Sequence, residues 1–245
     1  MGYKVSFDEL IILKGIEKKF GVDAALDLVR SGFAYDNWTT IVASADKTTW
    51  EERKMHWEFI PWWVKNRDEV KAARKQGIPW LNATAEKLLQ SKMFRDAALK
   101  RRCLVPAHHF YEWRHYKPEW SKKDIAYPYI VSLKDHSRFF MAGIWQPWTD
   151  KETGEMIDTF AIVTTVANSL MAQVHNKKKR QPTMLTSELA ERWIFDDLTE
   201  AEIQEIASYQ LPSNAMKAVT INKDFRIQED PTIQFDYEEL PALVL

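Results

Sequence analysis

The sequence predicts an α+β fold: a twisted, mainly antiparallel, barrel-like sheet with flanking helices. Three observations predict it. Strand candidates come in runs, with helices set between and after them and no strict β-α alternation. Those candidates are rich in β-branched and aromatic residues. No linker, repeat or low-complexity tract divides the 245 residues, so the whole chain, 1–245, reads as a single domain.

The elements follow in order. Residues 6–20 read as a helix: Ser6 and Glu9 make a capping-box pattern, Leu10, Leu13, Ile16 and Phe20 share one face, and Gly21 suits the stop. Residues 24–30 suit a second short helix. Strands are expected over 39–45 and 54–60, the latter ending at Pro61, and a polar-faced helix over 68–76. Residues 85–102 carry a helical pattern broken near Ser91. Strands are expected over 103–113, 127–133, 139–145 and 160–165, with turn-like or charged connections between the last three. A short helix over 169–174 precedes two amphipathic helices, 187–195 and 199–209, the second opened by a Thr199/Glu202 capping box. A late strand over 218–222 leads to an acidic tail, expected to be extended, from Gln228.

Composition narrows the function classes. Hydrophobic residues make up 45% and charged residues 28%, an ordinary globular balance. The formal net charge is -1, so contact with a polyanion must come from a local patch. The single cysteine, Cys103, rules out an intrachain disulfide and a cysteine zinc cluster. No apolar run approaches the ~18 residues of a membrane span, and the opening MGYKVSFDEL lacks the features of a signal peptide. The expectation is a cytoplasmic monomer that does not engage membranes. Eleven tryptophans serve a core, but indoles also stack on bases.

Several polar residues invite chemistry, each with a plainer alternative. Glu112 lies in CLVPAHHFYEW; it either faces solvent or is buried with a raised pKa suited to acid/base work. His175 follows a strand and short helix and precedes a basic run, as a proton shuttle or a structural histidine. Lys177, Lys178, Lys179 and Arg180 form either a solvated turn or a phosphate contact. Trp62 and Trp63 cannot easily both face one core, so one caps the sheet edge or stacks on bases. Asn82 suits a turn or helix cap. His108, His109 and His115 cluster near Glu112, but adjacent strand residues point to opposite faces, so neither a metal nor another cofactor is expected.

Taken together, these segments resemble the SRAP (SOS response-associated peptidase) family. Asn82-Ala83-Thr84 resembles the family's N-A-R motif, 103–113 its C-L-x-P-A-x-x-x-x-E-W strand, 142–145 its A-G-[IL]-W strand, and 165–182 its T-x-x-A-N…H-[ND]…R-M-P segment. The opening MGYKVSF resembles a subgroup beginning M-C-Y followed by S-F. The resemblance implies the SRAP fold with a positively charged groove that binds single-stranded DNA, or its junction with duplex, bearing an abasic site. In that family the exposed second-position cysteine forms a Schiff base with the ring-opened sugar and closes a stable thiazolidine crosslink. The resemblance assigns acid/base work to Glu112, ring opening and crosslink chemistry to His175, a hydrogen bond to the adduct to Asn82, and a wedge beside the lesion to Trp62 and Trp63.

Four departures stand out. Position 2 is Gly2; Thr84 stands where an arginine usually contacts phosphate; Gln181 replaces the methionine before Pro182; and GFAYDNW replaces the usual R-Y-N-x-A-P near residue 35. If Met1 is removed, Gly2 offers an α-amine with a pKa of about 7.7–8.0. That amine can condense with an aldehyde, but without a thiol only a reversible imine is expected. Two other readings stand beside it: a non-catalytic protein that shields lesions in single strands, and a thiol peptidase acting through Cys103.

Overall fold

The computed structural model describes residues 31–136 and 138–244; the two expected N-terminal helices and Gly2 lie outside them. The larger sheet holds eight strands. β1 (Asn37–Ala43) and β2 (Trp50–Trp57) form an antiparallel hairpin from Asn37 opposite His56 to Ala43 opposite Trp50. Beyond the hairpin lie β3 (Asn82–Thr84), β4 (Arg102–Ala107), β7 (Phe139–Thr149), β8 (Met156–Val166), β9 (Arg180–Pro182) and β10 (Met184–Leu185). The order β10-β7-β4-β1-β2-β8-β3 is curled, because β7 also pairs with β8, from Gly143 opposite Ile162 to Thr149 opposite Met156. The result is ring-like and not a full barrel. Two of its seams are thin: β1 meets β4 at one registered pair, Ile41 and Leu104, and β2 meets β8 at two. β8 runs parallel to β2 and β3, which makes the sheet mixed; its other pairings are antiparallel.

A second sheet holds β5 (Phe110–Tyr116), β6 (Ile125–Leu133) and β11 (Met216–Thr220), all antiparallel, with β6 central. The single strand expected over 103–113 is not formed. Residues 103–113 are two strands in two sheets. The ladder between β4 and β7 ends at Ala107 opposite Phe139, and after His108 and His109 the chain resumes against β6. Two smaller shifts accompany it. β2 begins at Trp50, four residues before the expected start, with Glu51 and Glu52 exposed in its first half, and ends at Trp57. Most of 85–102 is turns: a 3₁₀ turn at Ala85–Lys87 and only one short helix, α2 (Arg95–Lys100). Ser91 breaks the run, its carbonyl accepting from the amides of Phe94 and Arg95.

The helices match their patterns more closely. α1 (Arg67–Lys75) starts at Asn66, whose side chain accepts from the Glu69 amide. α3 (Met171–Val174) is a single turn. α4 (Ser187–Phe195) is capped by Thr186, and α5 (Glu200–Ala207) by the expected reciprocal bonds of Thr199 and Glu202. One core lies between the ring and α4 and α5, centred on Trp193; another lies between the ring and the small sheet, and includes Tyr127, Phe160 and Met171. Trp193 locks two strands at once, its Nε1–H donating to the carbonyls of Cys103 and Gly143. Gly143 is required there: a Cβ would lie 2.7 Å from the Cys103 sulfur.

The segment that departs most from the family pattern has its own anchor. Tyr35 adopts a left-handed conformation, and the Arg74 guanidinium lies 3.6 Å from its ring centroid. Arg74 also donates to Glu58, which is fully buried. Burial raises the Glu58 pKa, but hydrogen bonds from His56 and Arg74 outweigh it and hold the carboxyl below the usual range. The acidic tail packs on the small sheet: Tyr127 donates to Glu239 at 2.8 Å, and Tyr237 to the Ile221 carbonyl at 2.9 Å.

Candidate functional site

The site grows from β5. This strand is an edge of the small sheet, and all seven residues are only partly buried. Glu112 pairs with Tyr129 of β6, and Phe110 and Tyr116, two and four residues away on the same face, pack toward the inter-sheet core. The Glu112 carboxylate therefore sits at the border of that core, with its side chain 22% exposed. Burial raises its pKa; the His175 charge, the Trp113 amide and the Lys178 ammonium oppose that rise without cancelling it.

His175 terminates α3, its amide donating to the Met171 carbonyl at 2.7 Å. Its Nδ1 lies 2.9 Å from the Arg180 carbonyl and 3.5 Å from Glu112 Oε1. In the neutral ring, a proton on Nδ1 donates to that carbonyl and leaves Nε2 with a free lone pair. The ring is thus oriented by main chain, and a carboxylate that holds its proton more tightly than usual flanks it. The pair thus sets a proton acceptor, Nε2, beside a separate carboxyl acid.

Asn176 joins the two elements. Its Oδ1 accepts from the His115 amide at 2.9 Å, and its Nδ2 donates to the His115 carbonyl at 2.7 Å. The amide thereby pins the loop after α3 to the outer edge of β5, three residues from Glu112. Sequence reading missed Asn176; its only signal was its place directly after His175.

The basic run is a turn stitched to the ring. The Lys179 amide donates to the His175 carbonyl, and the Lys179 carbonyl accepts from the Ala167 amide. Lys177, Lys178 and Lys179 are exposed. Lys177 lies 3.8 Å from Asp124 at the foot of β6. Arg180 is different: it reaches inward to Glu86 at 2.7 Å and to the Thr164 carbonyl at 2.5 Å. Thr164 also registers with Thr84 of β3, so Arg180 is engaged beside the residue that replaces the family arginine. Asn82, two residues earlier, is exposed at the start of β3. β3, β8 and β9 are adjacent, with Thr84, Thr164 and Pro182 in one row.

Trp62 and Trp63 follow Pro61 on a loop held from below. Buried Gln146 donates to the Ile60 carbonyl, and the Trp148 indole donates to the Val64 carbonyl. Between those fixed points the two rings project, 68% and 45% exposed, and meet edge to face at 5.5 Å.

A family model described as SOS response associated peptidase (SRAP) matches residues 20–226. The chain belongs to the SRAP family. Among relatives of this SRAP protein, the abasic site processing protein YoqW of Bacillus subtilis is 30% identical over 169 residues, 69% of this chain and 68% of the relative. The abasic site processing protein YedK of Escherichia coli is 29% identical over 153 residues, 62% of this chain and 59% of the relative. A crystal structure of a protein from Bacteroides thetaiotaomicron superposes with a TM-score of 0.70 at 33% identity, covering 83% of this chain and 81% of that one.

Within this SRAP protein the departure at Gln181 has a local explanation. Gln181 is buried, and its side-chain oxygen accepts from the Asn168 amide at 2.8 Å. Asn168 in turn accepts from the Met171 amide, so Gln181 helps seat the helix that ends in His175. Cys103 is fully buried in β4, and burial pushes its thiol far above the ordinary value. Among the described residues, no group of three or more histidine, cysteine, aspartate or glutamate side chains is arranged to hold a metal ion, and no helix is long and apolar enough to cross a membrane.

Proposed function

We propose that this protein captures abasic sites in single-stranded DNA through its N-terminal residue. With Met1 removed, the neutral Gly2 amine attacks the C1′ aldehyde of the ring-opened sugar. The resulting carbinolamine loses water and becomes an imine. His175 Nε2 takes the C1′ hydroxyl proton as the C1′–O4′ bond breaks and returns it to O4′. The Glu112 carboxyl protonates the carbinolamine hydroxyl, so that water leaves and the nitrogen remains as the protonated imine. Asn82 hydrogen-bonds the adduct. Trp62 and Trp63 stack beside the lesion, and Lys177, Lys178 and Lys179 take phosphates. Thr84 hydrogen-bonds a phosphate by its hydroxyl; Arg180 joins only by exchanging Glu86 for the DNA. No thiol follows the amine at position 2, so the imine stays reversible. It hydrolyses, or loses a C2′ proton and expels the 3′-phosphate.

Family membership and the names of the relatives support abasic DNA as the substrate. The observation that carries the chemistry is the contact between Glu112, with its raised pKa, and His175 on an accessible strand edge. Borohydride trapping with an abasic oligonucleotide tests it. A covalent protein–DNA band that needs borohydride is expected. Tight binding with no trapped band would instead make the protein a non-catalytic shield of abasic single strands.

A further inference from the structure

The turn joining β5 to β6 carries features that the proposed chemistry does not use. It spans residues 117–124 and presents Trp120 at 69% exposure, among the most exposed of the large apolar side chains. A single exposed apolar residue needs no explanation, but this one is presented by a built turn. The buried Pro118 anchors it, and its carbonyl accepts from the Ser121 amide at 3.0 Å. The Ser121 hydroxyl donates to the Lys123 carbonyl at 2.7 Å and accepts from the Lys123 amide at 3.2 Å. Lys117, Lys122 and Lys123 of the same turn are exposed, as are Glu119 and Asp124. Asp124 ties the turn to Lys177, two residues from His175. The turn thus adjoins the basic run that begins two residues after His175, and it carries an exposed indole.

We propose that Trp120 is a second stacking platform, which takes an unpaired base of the same DNA strand several nucleotides from the lesion, with Lys122 and Lys123 on the adjoining phosphates. A fixed aromatic face beside lysines is the combination that binds single strands without reading sequence. The inference rests on the single-stranded-DNA reading above. Glu112 and Trp120 are eight residues apart along the chain, so no more than ~26 Å separates them. A single strand is more extended than the ~3.4 Å per nucleotide of one duplex strand, so it covers that distance in no more than about eight nucleotides.

The test measures affinity of the full chain for oligonucleotides carrying a non-reactive tetrahydrofuran abasic analogue, flanked by two or by ten nucleotides, each side lengthened separately. Trp120→Ala is expected to weaken binding about 5- to 150-fold when one particular side is long, with no loss on the short oligonucleotide. Trp120→Phe should recover most of it. Lys122→Ala with Lys123→Ala should reduce the salt slope by about 1.4 on the long oligonucleotide only. Equal losses at both lengths, or none at either, would overturn the platform while leaving lesion binding intact. A wild-type protein that binds neither oligonucleotide would remove the single-stranded-DNA reading itself.

Discussion

β4 and β5 are separated by two residues, yet they are opposite environments. β4 lies inside the ring between β1 and β7; Cys103, Leu104 and Val105 are almost fully buried, and the Trp193 indole donates to the Cys103 carbonyl. β5 is an edge, and each of its side chains is partly wet. The nucleophilic element of the pair, the thiol, sits where it is inert; the carboxylate sits where desolvation raises its pKa and a ligand can still reach it. The strand's position in the sheet thus sets the pKa and the access of each group.

The sharpest way to break this contrast is to disable each side. His175→Ala should slow adduct formation about 10²- to 10⁴-fold, read by trapping kinetics, while DNA affinity measured with the tetrahydrofuran analogue falls far less. Equal losses in both would make His175 structural. Cys103→Ala should leave that rate unchanged, and iodoacetamide should not label Cys103 in the native protein. On the β4 side, Gly143→Ala should destabilise the fold by about 1–3 kcal/mol in chemical denaturation, because the new methyl collides with Cys103 in a filled core. Its adduct rate per folded molecule should not change.

Asn176→Ala should cost about 1–3 kcal/mol through its two hydrogen bonds to His115. It should also displace the pH profile of adduct formation, because His175 is no longer held beside Glu112; a stability loss with an unmoved profile would limit Asn176 to the scaffold. The smallest effect concerns stability against pH. Glu112 binds its proton more tightly folded than unfolded. Its contribution to stability is then full below the unfolded value and is lost as pH rises through the folded value. Glu112→Gln should therefore raise Tm near neutral pH, with the gain vanishing below about pH 4, even as it slows the chemistry.

How far the sequence reached follows from the same contrast. Elements whose signal is local were legible: the Thr199–Glu202 cap, the amphipathic α4, and the β-branched and aromatic β6, β7 and β8. The break between β4 and β5 was not, because residues 103–113 are apolar on both parities and no alternation marks the change of sheet. The first half of β2, Trp50 to Arg53, lay outside the expected strand because Glu51 and Glu52 are charged and carry no apolar alternation. Glu112 and His175 were singled out from the pattern, but their proximity joins residues 63 positions apart, and only the family motif linked them. Asn176 with His115 and Arg180 with Glu86 likewise depend on long-range closure that no local pattern carries.

The most direct measurement is intact-mass analysis of the protein mixed with abasic single-stranded DNA, with and without borohydride, followed by peptide mapping. Capture through the N-terminal residue predicts loss of Met1, a mass increase by one oligonucleotide only when borohydride is present, and attachment at the Gly2 nitrogen. An adduct on a lysine side chain, or one that survives without reduction, would contradict it.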